Sequence, residues 1–407
     1  MIDFELSEPT KNLRSMVHGV AESVMRPVSR RYDEEEHTIP WEFIDTMWQA
    51  SRGSDAALLA RKSDDGDGRP QERALQLAVS IEELSWGDAG IYLCMAGPGL
   101  GGAAVAAAGT PEQKKRFLAR FREGKPKWAG MAITEPQCGS DSSAIQTTAM
   151  RDGDQWVLNG TKIFCTAGHK ALLDSDGFVV VWATLDRSKG RAGIKAFVVE
   201  HGTPGISVAK LEKKLGIRAS DTAMLILEDC RVPLDNVLGS ADVPKTSEGF
   251  KGVMATFDAT RPAVAASAIG IGRAAIDFLR EAFDREGMPI RYGIAPAKLA
   301  AYERDFMEME TQLEAARLLT WRAAWMLDGG QRNNLEASMA KAKAGLAVTQ
   351  ITQKAVEMLG PLGYSRATLA EKWMRDAKIN DIFEGTQQIN MLIVARRILG
   401  YSSKELT

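Results

Sequence analysis

This 407-residue chain has almost no charge of one sign to spare. Its 51 lysines and arginines stand against 53 aspartates and glutamates, a formal net charge of −2. Near neutrality gives no reason to expect nucleic acid or a membrane surface as a partner. Histidine and cysteine are scarce, with four of each. Cys94, Cys138, Cys165 and Cys230 lie far apart and form no CxxC pair, and His18, His37, His169 and His201 supply no zinc spacing, so no metal site is expected. No His or Asn constellation points to a thiol nucleophile, and buried free thiols in a reducing cytoplasm are the expectation. No apolar run reads as long enough to span a bilayer. The opening residues Met1-Ile2-Asp3-Phe4-Glu5 are acidic, and no signal or transit peptide is expected. Internal repeats and low-complexity tracts are absent as well.

What is present is ordinary globular composition, 45% hydrophobic, with length for two or three domains. Residues 1–126 read as a helical domain. Leu75 to Trp86 is one helix, followed by a small-residue run from Ala89 to Ala108. Thr110-Pro111-Glu112-Gln113 has the residues of a capping box opening another. Residues 61–73 are polar and predict an exposed loop. Residues 127–240 read as a β domain of antiparallel strands, with tight-hairpin signals at Asp152-Gly153 and Asn159-Gly160. Residues 241–407 are helical again. Tyr302, Phe306, Met309, Leu313 and Ala316 keep helical spacing until Gly329-Gly330, and Leu335 to Leu359 ends at Gly360-Pro361, suggesting a four-helix bundle. The fold class is therefore mainly α with a central β domain.

Five stretches carry residues suited to chemistry. Gly270-Ile271-Gly272-Arg273 superficially matches a dinucleotide fingerprint, but no strand precedes it, and close helix packing is the better reading. Thr134 to Asp141 is a loop of small and polar residues that suits a flavin edge or a phosphate; an ordinary capped turn is the simpler reading of the spacing alone. Phe164-Cys165-Thr166 offers an aromatic to stack on a flat ring and a hydroxyl for a ring nitrogen, and fits a half-buried strand equally well. Asp258-Ala259-Thr260-Arg261-Pro262 carries an arginine able to pair with a phosphate or pantetheine, or simply with a surface carboxylate. Near the C-terminus, Glu384 precedes Gly385, whose freedom allows a sharp turn, and Ile379 and Ile382 can pack the preceding turn into a core. A carboxylate on such a rigid, partly apolar shoulder can act as a base, whereas most Glu-Gly-Thr sequences near a C-terminus are solvated helix ends.

Taken together these pieces resemble the acyl-CoA dehydrogenase family over essentially the whole chain. Three stretches carry the resemblance: Ala132 through Asp141, Leu215-Gly216-Ile217-Arg218-Ala219-Ser220-Asp221-Thr222, and Arg375 through Ile389. The resemblance implies FAD as cofactor, with Thr134, Ser140, Phe164, Cys165, Thr166, Arg285, Thr386 and Gln388 around it. It implies that Ser140, Asp258, Thr260, Arg261 and Gly385 meet the acyl-CoA, and that Glu384 is the catalytic base. Some family members carry the base on the helix that holds Thr260; a threonine at that position leaves Glu384 without a rival.

There are departures. The family's Arg-x-x-Phe-Gly before Pro-Ile reads Arg285-Glu286-Gly287-Met288-Pro289-Ile290 here, with Phe283 at the usual arginine position. Its Gly-Gly-x-Gly element reads Gly360-Pro361-Leu362-Gly363, with Glu357 in place of a glutamine. The polar stretch at 61–73 replaces a glycine-rich one. The implied reaction is α,β-dehydrogenation of an acyl-CoA to the trans-2-enoyl-CoA, in a homo-oligomer (tetramer or dimer) that passes electrons to an electron-transferring flavoprotein. An acyl-CoA oxidase, a flavin monooxygenase, a desulfinase and a non-catalytic flavin-holding protein are the alternatives. Gly90 to Leu100 contains no Arg, Lys or His, so an uncharged acyl group is expected, and its small residues leave room for a tail unless they serve only close packing.

Overall fold

The computed structural model describes residues 5–53, 72–242, 251–401 and 405. The polar loop expected at 61–73 therefore falls outside the described residues up to 71, and Arg73 already begins a helix. The N-terminal helices are α1 (Glu8–Val20), α2 (Ser29–Glu34), α3 (Trp41–Gly53), α4 (Arg73–Tyr92), α5 (Gly99–Ala108) and α6 (Pro111–Leu118). The α6 start is the expected capping box, in which Thr110 Oγ1 accepts from the Gln113 N–H and Gln113 Oε1 accepts from the Thr110 N–H. Within α4 the helix breaks at Asp88 (φ −167°, ψ 118°). The buried Asp88 carboxylate takes a 2.7 Å ion pair from Lys372 and accepts from the Ser29 hydroxyl, which fixes the kink.

Seven strands follow: β1 (Ala129–Ala132), β2 (Thr148–Asp152), β3 (Gln155–Thr166), β4 (Phe178–Thr184), β5 (Ile194–Glu200), β6 (Ile206–Leu211) and β7 (Thr222–Pro233). They form one sheet in the order β1-β4-β2-β3-β7-β6, with β5 against β4. The sheet is mixed, not purely antiparallel as expected, because β1 and β4 run parallel in register from Ala129 opposite Phe178. The long connection between them, rather than a hairpin, permits that direction. In β4 the run Phe178-Val179-Val180-Val181-Trp182-Ala183 is buried throughout. Its alternate side chains enter two different cores, as a strand covered on both faces requires. Asp152-Gly153 does form the β2–β3 hairpin. Asn159-Gly160 does not turn the chain; it is a bulge inside β3, where a Cβ at position 160 would sit 2.5 Å from Thr147 Oγ1. The glycine is there for close approach, which mimics a turn signal in sequence.

The C-terminal helices are α7 (Lys251–Arg285), α8 (Ala301–Asp328), α9 (Asn334–Leu359), α10 (Pro361–Tyr364), α11 (Ala370–Ala377) and α12 (Gln387–Leu399). Three are long and α12 has only 13 residues, so the bundle is completed by α4, which packs along α7. Thr256–Arg285 contains an 18-residue window with a mean hydropathy of 1.3 and is, against expectation, long and apolar enough to cross a membrane by length and composition alone. It is instead mostly buried as the central helix of the bundle, against α4, α8 and α9. Gly270 explains part of that fit: a Cβ there would lie 2.2 Å from Glu82 O on α4. The dinucleotide-like spacing is a packing device.

Candidate active site

The turn between α11 and α12 carries Glu384 and Gly385 in consecutive left-handed conformations, φ 55° and 86°. Such a conformation costs a non-glycine residue about 1–3 kcal/mol and persists only where its surroundings hold it. Here they do. The Gly385 carbonyl accepts from Lys341 Nζ at 2.7 Å and from Asn390 Nδ2 at 2.9 Å. Thr386 then caps α12, its hydroxyl accepting from the Ile389 N–H at 3.2 Å. The preceding residues Lys378–Asp381 lie directly on α9, where a Cβ at Gly345 would come within 2.6 Å of Asn380 O.

The Glu384 side chain points to α7. Thr260 Oγ1 donates to Glu384 Oε2 at 2.9 Å, the one side-chain hydrogen bond to this carboxylate among the described residues. Burial pushes the carboxyl above its ordinary value, opposed by the Thr260 bond and by the charges of Arg261 and Lys341. Arg261 is only 3% exposed, and its guanidinium pairs with Asp258 at 2.6 Å. This is a buried pair rather than the surface pair considered from sequence. Its electrostatic reach is toward Glu384.

A second cluster lies on the β domain. Glu135 is the hub of the loop from Thr134 to Thr147: its carboxylate accepts from Lys162 Nζ at 2.7 Å, from the backbone N–H of Gln146 (2.7 Å) and Thr147 (3.0 Å), and from the Thr147 hydroxyl. The Ile163 N–H donates to Thr134 O at 2.9 Å, which sets this loop beside the end of β3. Phe164 there is 58% exposed with φ 59°. Among the described residues, the hydroxyls of Thr134, Ser140 and Thr166 are spent on no protein hydrogen bond. An exposed aromatic at the end of β3, with free hydroxyls on the same strand end and on the adjoining loop, is a donor set that fits a flat ring system with polar edges, and on this ground the residues present suit a flavin. Cys165 faces the other way. Its side chain is fully buried, and a Cβ at Gly130 would lie 3.1 Å from its sulfur, so only its backbone is available to a ligand.

Residues 215–222 make a third set of contacts. The Ile217 N–H donates to the buried Asp376 carboxylate, and Asp221 pairs with Lys170 at 2.6 Å and accepts from the His169 N–H. Gly216 lets the segment pass within contact of the Arg375 backbone. The sequence reading marked this stretch without assigning it a task; it ties the segment just after β3 to α11.

Models of the acyl-CoA dehydrogenase N-terminal, middle and C-terminal domains match residues 7–125, 130–230 and 247–399. The chain belongs to the acyl-CoA dehydrogenase family. It is 38% identical over 402 residues to the mitochondrial short-chain specific acyl-CoA dehydrogenase of Bos taurus, covering 97% of this chain and 91% of that one. The structure of butyryl-CoA dehydrogenase from Megasphaera elsdenii superposes with a TM-score of 0.84 at 32% identity, over 98% of this chain and all of that one. A structure described as the electron transferring flavoprotein of Acidaminococcus fermentans superposes at 0.83 with 35% identity, over 98% and 100%. The protein is thus an FAD-dependent oxidoreductase acting on the CH–CH bond of an acyl-CoA.

Within this acyl-CoA dehydrogenase the expected site residues fall into three places. Glu384, Gly385, Thr386, Thr260, Arg261 and Asp258 cluster at the base turn; Thr134, Ser140, Phe164 and Thr166 share the β-domain surface. Gln388 is exposed on the first turn of α12. Arg285 lies at the far end of α7, 24 residues beyond Arg261, about 36 Å along the helix. It is exposed and stacks over Phe278, so within one chain it is remote from the base turn. Lys341 and Asn390 escaped the sequence reading. A lysine four residues after Ala337 and three before Ala344, on the buried stripe of α9, was the available signal.

Proposed function

We propose that Glu384 removes the α-proton of a short, uncharged acyl-CoA thioester while a hydride leaves the β-carbon, giving the trans-2-enoyl-CoA. The observation that carries this is the Glu384 carboxylate itself: held in a left-handed turn, raised in pKa by burial, and engaged by a single side-chain donor. A raised pKa and an uncommitted lone pair both favour a carboxylate as a base. The chemistry FAD supplies when bound is acceptance of the β-hydride, at flavin N5. Thr134, Ser140, Phe164, Thr166 and the Cys165 backbone would hold it, with Thr386 and Gln388 presented from the start of α12. As the proton leaves, negative charge builds on the thioester oxygen. The Glu384 backbone N–H, which makes no hydrogen bond among the described residues, is a candidate donor for it; one such donor is worth about 3–4 kcal/mol.

The likeness to short-chain acyl-CoA dehydrogenases supports a short tail. Of the small residues in Gly90 to Leu100, Gly99 serves close packing, since a Cβ there would lie 3.0 Å from Ala129 O, whereas a Cβ at Gly97 would meet nothing within 4 Å. The stretch lacks a cation to receive an anionic tail. Electrons would pass on to an electron-transferring flavoprotein. Exposed Met391, Leu392, Ile398 and Leu399 on α12, with Leu362 and Tyr364, support a homo-oligomer, tetramer or dimer. Four buried free thiols suit a reducing cytoplasm.

The test is anaerobic titration of the FAD-loaded protein with butyryl-, octanoyl- and glutaryl-CoA, followed by flavin absorbance. Butyryl-CoA should bleach the flavin at the lowest concentration, with slow recovery in air. Failure of every acyl-CoA to bleach it would overturn the reaction. Glutaryl-CoA as best substrate would overturn the uncharged tail, and rapid recovery in air would point to an oxidase.

A further inference from the structure

We infer that Lys341 is a positioning residue for the base: its ammonium clamps the Gly385 carbonyl, so holding the left-handed Glu384–Gly385 turn, and its positive charge favours the ionised Glu384. This rests on the reading of Glu384 as the base.

The four most deeply buried lysines among the described residues are Lys162, Lys170, Lys341 and Lys372. Three of them touch a carboxylate directly: Lys162 with Glu135 at 2.7 Å, Lys170 with Asp221 at 2.6 Å, and Lys372 with Asp376 at 2.5 Å and Asp88 at 2.7 Å. Lys341 differs. It is 1% exposed, and its ammonium is spent on a backbone carbonyl, that of the residue after the base. An ammonium taken out of water with no carboxylate in contact is costly, so stability alone is a poor reason to place one here. The charged groups that face it are Glu384 and Asp381 from the base turn and Arg261 from α7. Asp381 is already engaged by Lys378 Nζ (2.9 Å) and by the Thr349 hydroxyl (3.0 Å), and Arg261 is neutralised by Asp258. The compensating charge left for Lys341 is the base. Burial pushes Lys341 down to about 8, with Glu384 and Asp381 resisting and Arg261 assisting.

The geometry is built in. Gly345, one turn after Lys341 on α9, has no side chain, which lets Lys378–Asp381 descend onto the helix and brings Gly385 within reach of Nζ. Asn390 holds the same carbonyl without charge, so holding and charging can be separated by mutation.

The experiment is the pH dependence of anaerobic flavin reduction by butyryl-CoA in the FAD-loaded parent and in Lys341→Met, Lys341→Arg and Asn390→Ala. A nearby cation lowers a carboxyl pKa, so its removal raises it. Lys341→Met should therefore move the acid limb of the rate profile to higher pH by about one pH unit, a rate about tenfold lower on that limb. Lys341→Arg, which keeps the charge, should keep the limb in place. Asn390→Ala should lower the rate at all pH values without moving it. A Lys341→Met limb at the parent pH overturns the inference, whatever its plateau, and so does an equal shift in Asn390→Ala. If Lys341→Met does not retain FAD and a native melt, Lys341→Arg decides: a limb at the parent pH upholds the inference and a shifted limb overturns it. Failure of the underlying reading is distinct, because it would appear as flavin reduction at the parent rate in Glu384→Gln.

Discussion

Glu384 and Glu135 are both glutamates set among buried partners, each with a buried lysine close by, and their environments move them in opposite directions. Burial alone would raise both. At Glu135, Lys162, Thr147 and the Gln146 N–H outweigh burial and hold the carboxyl below its ordinary value. At Glu384, burial wins over Thr260, Arg261 and Lys341, and the carboxyl stays above it. The difference lies in where the lysine is aimed. Lys162 touches the Glu135 carboxylate itself, while Lys341 touches the carbonyl next to Glu384 and leaves the carboxylate with one donor. A fully satisfied carboxylate is a fixture of the β-domain loop; an under-satisfied one can take a proton.

The strongest way to break this comparison is Glu384→Gln. Glutamine is nearly isosteric and cannot accept the proton. Flavin reduction by butyryl-CoA should fall by about 10²–10⁴ or more, with FAD retained. Reduction at the parent rate would mean another group is the base.

Glu135→Gln should do the reverse and strike the fold. It removes one member of a buried pair and leaves Lys162 uncompensated, a loss of about 3–5 kcal/mol. The sign with pH is fixed by the depressed folded pKa. The carboxylate's contribution is fully present above its unfolded value of 4.5 and disappears as pH falls through the folded one. The variant's melting temperature should therefore be lower at neutral pH and fall less steeply on acidification than the parent's. An unchanged melt at pH 7 would refute the role of Glu135 as hub.

How much of this was legible in one dimension follows from where each partner comes from. The α6 capping box, the Asp152-Gly153 hairpin and the stops at Gly329 and Gly360 are local, made by residues within four of each other, and were readable. Asn159-Gly160 was misread because glycine serves turning and close approach alike, and Thr147, the neighbour that decides, sits on another segment. The parallel pairing of β1 with β4 spans nearly fifty residues and leaves no local mark. At the site, Glu384 was visible through its motif. Its supports were not: Thr260 is 124 residues away and the lysine holding Gly385 is 44 away. Arg261 was legible as a charge, but its burial against Asp258 depends on how α7 lies in the bundle.

The gentlest test sharpens the comparison by changing one donor. Thr260→Val keeps the shape of the side chain and removes the one side-chain hydrogen bond to the Glu384 carboxylate. That bond favours the ionised form, so its loss should raise the carboxyl further. A hydrogen bond to a charged group contributes about 1.5–3 kcal/mol, which converts to a shift of about 1 pH unit or somewhat more. The acid limb of flavin reduction should move to higher pH by that amount, with the rate on the limb about tenfold lower. Above the limb the base is ionised in parent and variant alike, and a more basic carboxylate is the better proton acceptor, so the plateau should fall little. Glu135, with five nitrogen and oxygen donors, would lose far less from any one of them. If the acid limb of Thr260→Val coincides with the parent's, the single hydrogen bond does not tune the base, and the contrast between the two glutamates reduces to burial and charge.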